Sequence, residues 1–486
     1  MMLTHLPRLA VLCALVSLAS AAPAQDKLVV KAGRVITQAG AELENGVILI
    51  ENGLIKAVGT DVEVPWDATV IDEPDMVAFP GFVEAHSSNG MDRANENIDV
   101  TPFLSVVDSI DPVHFYFEDC LRWGVTTINV QQGSNCVIAA QGLVVKPHGM
   151  LVDEMLVRPD AGIKLSAAPK RGNSRATQSR ALREVFEDLR SYLEDAVKDK
   201  RDGGDRTRRE ALFQGRELEG EEAKGRPMQG SAWRVDGLEL VPRDKIDEKQ
   251  DPLLRLVEGK LPAFFYCAQP IDVHRALEIA RDNGFLARTT LVCNSACWKA
   301  AEVIAEAGVP VVLEGPLVDL ERDPISGDEI ETFVPGVLRD KNVRFALSSE
   351  NSTTQSLWYQ AAQSVGLGLT RAEAVAAVTT TPAEILGLGQ RLGSLEVGKD
   401  GNLVLFSGDP LSVSSFVERV VLEGELVYDK REDVRMRQLL EGQTPPGTTA
   451  NAVEGEAAHE HGDEGGEPDE PDPEQGAAAK KKEGQG

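Results

Sequence analysis

Hydrophobic and polar residues alternate in short runs near both ends of the chain, a pattern that is typical of β-strands. Near the start, two such runs between residues 47 and 58 flank the dipeptide Asn52-Gly53. Asn-Gly supplies the positive φ angles that a type I′ turn requires, so this segment predicts a β-hairpin. Similar runs recur between residues 402 and 428. The sequence therefore predicts a β-rich block near each end of the chain.

The long middle of the chain has a different pattern, in which β-type runs alternate with apolar residues at helical spacing. Strands are expected at 125–130, 263–266, 290–293, 309–313 and 343–347, and helices around 182–197, 273–283 and 299–307. Repeated alternation predicts an α/β fold with a parallel sheet and crossover helices. For a segment of this length, a closed (β/α)8 TIM-like barrel is the leading choice.

The two termini have compositions unlike the rest of the chain. Residues 1–24 resemble a secretory signal peptide, with Arg8, an apolar stretch at 9–19 that is too short to span a bilayer, and the cleavage pattern Ala22-Pro23-Ala24. We therefore expect export, to the periplasm or the extracellular space. Residues 441–486 are acidic, rich in Gly and Pro, and without apolar periodicity. Such a segment cannot bury enough surface to fold alone, so we expect a disordered tail.

Charge and cysteine content exclude several classes of protein. The chain has 486 residues and a formal net charge of −28. A surface this acidic repels phosphate backbones, which argues against a nucleic-acid partner. No apolar run reaches the length of a membrane-spanning helix. Six cysteines, one of them in the signal segment, are too few for a disulfide scaffold in so long a chain.

Three motifs resemble the metal-dependent amidohydrolase superfamily. The segment AFPGFVEAH at 78–86 is similar to the family's PG-[FLI]-[IV]-D-x-H-x-H strand. Further along, TTTPAEILG at 379–387 and GSLEVGKDGNLV at 393–404 are similar to its T-x-N-P-A-x-x-L-G helix and its G-S-[IL]-x-x-G-K-x-A-D strand. The motifs occur in the family's order, and the likeness covers about residues 27–435. It is strongest for the imidazolonepropionase-like, exported branch.

The resemblance implies an architecture and a chemistry. The barrel would occupy residues 79–389, and segments 25–78 and 390–440 would form one small composite β-sandwich domain. Members of the family hydrolyse carbon–nitrogen bonds other than peptide bonds. One or two divalent ions, often zinc, lower the pKa of a bound water to near neutrality.

The family's metal ligands are mostly replaced in this sequence. The first histidine of H-x-H is His86, but the second position is Ser88. Tyr266 stands where strand 5 would supply a histidine, and strand 6 offers Cys293 or Asn294 instead of one. Hydroxyl and amide groups are weak zinc ligands beside imidazole.

Two further positions could still serve a metal. Glu350 stands where strand 8 would carry the aspartate that binds the ion and acts as general base. Lys164 lies in the region of strand 4, where some members carry a carboxylated lysine, and is a weaker candidate. A catalytic zinc usually has three protein ligands, so we expect at most one divalent metal, bound weakly or not at all.

The cysteines leave one alternative metal site open. Cys267, Cys293 and Cys297 lie at or just after strands 5 and 6. Thiolates bind zinc and soft ions well, so with His86 they could form a different centre. The competing interpretation is that these cysteines are packed, small apolar residues.

Two functions follow from these observations. The first is a hydrolase of carbon–nitrogen bonds with an altered or mononuclear site, supported by the resemblance. The second is an exported, non-catalytic binding or scaffold protein on the same fold, supported by the replaced ligands. The sequence does not identify the small-molecule substrate or ligand, and a homodimer is possible because dimers are common in the family.

The acidic composition of the tail generates a first prediction. Limited proteolysis should trim the C-terminus and leave a compact core near residues 25–440, because an unpacked segment is cleaved first. Mass spectrometry of the digestion products measures this. A tail that resists cleavage as well as the barrel would contradict the expected disorder.

Overall fold

The computed structural model describes residues 27–214, 235, 238, 241–349 and 356–441. The expected signal peptide, the acidic segment after residue 441 and Glu350 all lie outside the described residues.

Seventeen strands and eleven α-helices make up the described part of the chain. The strands are β1 (Lys27–Val35), β2 (Leu43–Glu51), β3 (Leu54–Gly59), β4 (Thr69–Phe79), β5 (Phe82–Ser87), β6 (Val125–Val130), β7 (Ile138–Val145), β8 (Leu156–Ser166), β9 (Ala263–Cys267), β10 (Thr289–Cys293), β11 (Val311–Leu313), β12 (Val318–Arg322), β13 (Glu329–Phe333), β14 (Phe345–Leu347), β15 (Leu403–Phe406), β16 (Val417–Leu422) and β17 (Glu425–Asp429). The helices are α1 (Phe115–Arg122), α2 (Val152–Met155), α3 (Arg175–Gln214), α4 (Asp251–Val257), α5 (Pro270–Asp282), α6 (Ala301–Ala307), α7 (Val334–Asp340), α8 (Leu357–Gly366), α9 (Arg371–Ala376), α10 (Thr380–Ile385) and α11 (Val434–Glu441).

The β-rich blocks near the two ends of the chain share one seven-stranded sheet. Its strand order is β17-β16-β15-β4-β1-β2-β3, in which only β1 and β4 are parallel. The β2–β3 turn has φ angles of 51° at Asn52 and 78° at Gly53, which confirms the predicted hairpin. Ile48, Ile50 and Leu405 belong to the apolar cluster that this sheet buries.

An eight-stranded sheet forms the barrel, in the order β5-β6-β7-β8-β9-β10-β11-β14. Helices α5 to α8 follow its later strands, so the α/β fold with a TIM-like barrel is as expected. Strands β5, β9, β10, β11 and β14 place alternate residues inside, where a second apolar cluster lies. It includes Val83, Phe264, Val292, Val312 and Ala346.

One strand departs from the parallel barrel that the alternating pattern predicts. β7 runs antiparallel to both of its neighbours, β6 and β8. Only a short loop joins β6 to β7, and only the short α2 and its flanking turn join β7 to β8. A parallel neighbour needs a crossover of a dozen or more residues, so these short connections force β7 to reverse direction.

The seam between the first and last barrel strands is bridged by backbone from outside the sheet. Val83 N–H donates to Val378 O at 2.9 Å, and Leu347 N–H donates to Ala377 O at 3.0 Å. These carbonyls come from the end of α9 and the residues after it. The turn between α9 and α10 therefore sits between β5 and β14.

Residues 431–441 belong to a second unit, separate from the unit that holds both sheets. This part includes α11, which begins after Asp433. The Oδ1 atom of Asp433 accepts the backbone N–H of Arg435 at 2.9 Å and so caps the helix.

Among the described residues, no helix has both the length and the apolar character that crossing a bilayer requires.

The shared sheet generates a second prediction. A chain that ends at Gly389 loses β15, β16 and β17 and exposes the edge of β4, so it should be insoluble. A chain that ends at Glu441 keeps every strand and is the matched control, which should stay soluble. Sedimentation and circular dichroism compare the two. Cooperative folding of the shorter chain would show that the two blocks do not depend on each other.

Candidate functional site

The carboxyl ends of the parallel barrel strands form one mouth, where active sites of this fold are built. His86 lies near the end of β5, Lys164 near the end of β8 and Tyr266 near the end of β9. Asn294 and Glu314 directly follow β10 and β11. The fold therefore brings polar residues from distant parts of the sequence to the same end of the barrel.

His86 is held between two side chains of opposite charge. Its Nε2 lies 2.5 Å from Lys164 Nζ, and its Nδ1 lies 2.6 Å from Glu314 Oε1. The exposed fractions of His86, Lys164 and Glu314 are 0%, 0% and 2%. Buried ionisable groups are tolerated when they are paired, so a lysine and a glutamate on either side of one imidazole form a consistent set.

A protonated Lys164 would fix the tautomer of His86. An ammonium carries no lone pair, so a protonated Lys164 would donate and His86 Nε2 would accept. The ring proton would then lie on Nδ1, facing Glu314. The Nδ1–H bond does not point along the line to the oxygen, so this contact is an electrostatic pairing and not an aligned hydrogen bond.

This arrangement does not fit the divalent ion that the sequence resemblance implies. A metal binds imidazole through a nitrogen lone pair, and the one available on His86 points at Lys164 Nζ. A cation at that position would also face the ammonium charge. Within the described ranges, no three His, Cys, Asp or Glu side chains are grouped closely enough to hold a metal. A catalytic zinc uses three protein ligands.

The residues at the other expected histidine positions are neutral. Asn294 Oδ1 accepts the backbone N–H of Ser295 at 2.7 Å and so caps the 3-10 helix after β10. The Tyr266 ring centre lies 5.6 Å from Lys164 Nζ. Burial raises the pKa of the Tyr266 phenol above its usual range, so it stays protonated at neutral pH. Ser88 is buried just after β5.

The cysteines of the alternative metal site lie away from the barrel interior. Cys267 and Cys293 are register partners on β9 and β10, and they face the core outside the barrel, whereas Tyr266 packs with the interior cluster. Burial raises the pKa of Cys267, and a hydrogen bond with Cys267 raises the pKa of Cys293. Both thiols therefore stay protonated at neutral pH, and a metal would have to displace these protons to bind. With Cys297 they remain free and buried.

Glu84 is a second buried carboxyl group on β5, near Tyr116 and Cys120 of α1. Its Oε2 accepts the Ser349 hydroxyl at 2.5 Å and the Ser349 backbone N–H at 2.9 Å, and its Oε1 accepts the His86 N–H at 3.3 Å. Burial raises the pKa of Glu84 to about 7, although these hydrogen bonds act in the opposite direction. Ser348 Oγ donates to His86 O at 2.8 Å. Side chains from β5 and the end of β14 are thus linked at the barrel seam.

Sequence analysis did not identify Glu314 and Glu84 as site residues. Glu314 directly follows a buried strand and precedes Gly315-Pro316, which is a recognisable pattern for a residue at a barrel mouth. Glu84 lies two residues before His86, within the segment that resembles the family's first barrel strand. Glu350, expected as metal ligand and catalytic base, lies outside the described residues.

Comparisons with known proteins agree with one another. A sequence model of the amidohydrolase family matches residues 361–428. The chain is 26% identical over 419 residues to the amidohydrolase tasK of Hapsidospora irregularis, a match that covers 79% of this chain and 40% of that protein. The chain therefore spans less than half the length of this curated relative.

A solved structure extends the likeness to the fold. The crystal structure of an amidohydrolase from Thermotoga maritima MSB8 is similar, with a TM-score of 0.66 and 26% sequence identity. The likeness covers 83% of this chain and 100% of that chain, so it includes both the barrel and strands of the shared sheet.

The raised pKa of Glu84 generates a third prediction. A carboxyl group with a folded pKa of about 7 and a usual value near 4.5 stabilises the fold below pH 4.5, and this stabilisation is lost as the pH rises through 7. Relative to Glu84→Gln, which keeps an acceptor oxygen but cannot ionise, the wild type should lose roughly 3 kcal/mol of unfolding free energy across this window. Urea unfolding from pH 4 to 8 measures the difference. Parallel pH profiles of the two proteins would contradict the raised pKa.

Proposed function

Since this chain belongs to the amidohydrolase superfamily, we propose that its barrel mouth binds a small molecule and no longer performs the metal-dependent hydrolysis of carbon–nitrogen bonds. The fold and the position of the site are inherited, whereas the chemistry depends on individual side chains. The proposal therefore rests on the mouth residues and not on the overall likeness.

The observation that carries the proposal is the double contact of His86. Lys164 Nζ and Glu314 Oε1 lie 2.5 Å and 2.6 Å from its two ring nitrogens. In the superfamily this histidine would give a lone pair to the metal. With Lys164 protonated, that lone pair accepts from its ammonium, and the other nitrogen carries the ring proton. Without an ion in the inherited position, no group there makes hydroxide available near neutral pH.

Glu314 favours a second candidate, a hydrolase with one divalent ion such as zinc. Glu314 places a buried carboxyl group beside His86, at a position that is not among the metal ligands expected from the family motifs. In this candidate, carboxylation of Lys164 would remove its positive charge and release the Nε2 lone pair. Glu350 would be the remaining ligand and general base, and the chemistry would again be hydrolysis of non-peptide carbon–nitrogen bonds.

The proposal also includes the location of the protein, the class of its ligand and its oligomeric state. The N-terminal sequence supports export to the periplasm or the extracellular space. The net charge of −28 supports a small-molecule ligand and disfavours nucleic acid. A homodimer is consistent with the family but has no specific support among the described residues.

Metal analysis of the purified protein, after incubation with zinc and removal of free ion, tests the proposal. We expect well under one equivalent of zinc per chain and no hydrolysis of hydantoin-like or imidazolone-like rings. Lys164→Ala is the informative variant. In the hydrolase candidate it removes a ligand and lowers the metal content, whereas in our proposal it frees His86 Nε2 and cannot lower it.

The contradicting result is equally specific. Stoichiometric metal in the wild type, together with turnover that His86→Ala and Glu350→Gln abolish, would overturn the proposal and establish the hydrolase. Circular dichroism of each variant separates a lost ligand from a lost fold.

A further inference from the structure

Two cysteine thiols meet on the outer side of the barrel wall, where the proposed function does not use them. Cys293 ends β10, and Cys297 lies in the 3-10 helix Ser295–Ala300 that follows this strand. Both side chains line one narrow gap beside α7, which is too small to admit a water molecule. The two thiols therefore share a single confined space, and each residue is 2% exposed.

Cys267 adds a third thiol to this group. The thiol of Cys293 forms hydrogen bonds with the thiols of both Cys267 and Cys297. In addition, Cys297 Sγ donates to the backbone oxygen of Cys267 at 3.1 Å. Cys293 is the central member of the group, so oxidation has two neighbours to which it can join this residue.

The spacing of the strands disfavours Cys267 as the partner. Cys267 and Cys293 are register partners on the parallel strands β9 and β10. Neighbouring strands lie about 4.8 Å apart, whereas the two Cβ atoms of a disulfide lie about 3.8 Å apart. A bond between these two residues would therefore require the ladder to contract by about 1 Å against its own hydrogen bonds.

Cys297 is not held by the ladder, because the 3-10 helix lies outside the sheet. Its backbone N–H donates to Asn294 O at 3.0 Å, in the first turn of this helix. Short 3-10 segments have poorer hydrogen-bond geometry than α-helices, and segments of this kind open locally at low cost. The helix can therefore bring the Cys297 thiol to Cys293 while β9 and β10 keep their register.

We propose that Cys293 and Cys297 form a thiol oxidation site, which a small organic disulfide such as oxidised glutathione converts into an internal disulfide. When the 3-10 helix opens, Cys297 gives its proton to water and its sulfur attacks one sulfur of the oxidant, which releases a first thiolate. Cys293 then loses its proton, attacks the Cys297 sulfur and displaces the second thiolate. The two cysteines lose two protons and two electrons in total, and the oxidant is reduced to two thiols.

The bond would enclose Asn294, which stands where strand 6 of the family carries a histidine. Asn294 Oδ1 accepts the backbone N–H of Ser295 at 2.7 Å, and the Ser295 hydroxyl donates to Asp319 Oδ1 at 3.0 Å. Oxidation would therefore fix the loop that follows β10 at the barrel mouth.

This chemistry goes beyond the proposed function, because it uses neither a metal nor a ligand of the mouth. The proposed export would carry the chain into an oxidising compartment, where disulfides persist. The competing interpretation is that the cysteines are packed, small apolar residues. Packed thiols would remain reduced when a disulfide oxidant is supplied.

Peptide mass spectrometry tests the proposal directly, because trypsin cuts after Arg288 and Lys299 and leaves both cysteines in peptide 289–299. The full-length protein is held with excess oxidised glutathione, in urea below its unfolding transition so that local opening is frequent. Remaining thiols are then alkylated in denaturant before digestion. We expect peptide 289–299 to carry no alkyl group and to be two hydrogens lighter than its reduced form. Reduction before alkylation should return it with two alkyl groups.

Two variants identify the residues that react. Cys267→Ser is the matched control, because it removes the competing partner and should leave the internal bond unchanged. Cys297→Ser should abolish the bond and leave Cys293 open to alkylation after treatment with a reductant. Circular dichroism confirms that each variant is folded, and Cys297→Ala replaces Cys297→Ser if the serine variant fails to fold.

Two results in the wild type overturn the proposal, whatever the variants do. If peptide 289–299 still carries two alkyl groups after oxidation, the thiols only pack. If this peptide is instead joined to peptide 261–275, which contains Cys267, the strand pair reacts and the choice of partner is wrong. Neither result depends on metal content or hydrolysis, so this test and the test of the proposed function fail independently.

Discussion

The closure of the barrel at its seam is the constraint on which the rest of the site depends. β5 and β14 lie at the two ends of the barrel sheet, and the backbone carbonyls of Ala377 and Val378 bridge them. Glu84 and Ser348 add side-chain links across the same gap. A strand ladder would fix only the backbone, whereas these links also fix the side chains that reach the mouth.

The seam explains why the polar residues of the mouth are held so tightly. His86 lies on the strand that the seam fixes, and Lys164 and Glu314 reach it from β8 and from the end of β11. Each ionisable side chain is paired with a neighbour, so the interior can hold a lysine, a histidine and glutamates away from water. The same contacts place a side chain against each ring nitrogen of His86.

Much of the fold could be predicted because it follows from local patterns. The Asn52-Gly53 hairpin and strands β6, β9, β10 and β11 lie where periodicity placed them. β7 was not predicted, since its run contains small residues such as Ala139, Ala140 and Gly142. Its reversed direction follows from the length of its connections, a property that strand periodicity does not encode.

The functional site could be predicted only in part, because contacts between side chains on distant strands are not encoded in local sequence patterns. Motif resemblance identified His86, because its neighbours in sequence carry the signature. Glu314 became visible only when closure brought the end of β11 towards β5, which no local pattern reports. The roles of Cys267 and Cys293 depended on which face of the strand they occupy. A one-residue difference in register separates a pocket residue from a core residue.

The shared seven-stranded sheet also has a kinetic consequence. β4 and β15 pair directly, with Val77 opposite Phe406, although nearly the whole barrel lies between them in sequence. A contact between residues this far apart in sequence requires the closure of a long loop, which costs entropy before the contact adds any stability. Such contacts therefore slow folding. The β1–β4 block emerges early in synthesis but lacks its partner until the end of the chain is made. Until then the β4 edge is an unpaired template, so chaperone binding at this edge would have its greatest effect early in the life of the protein.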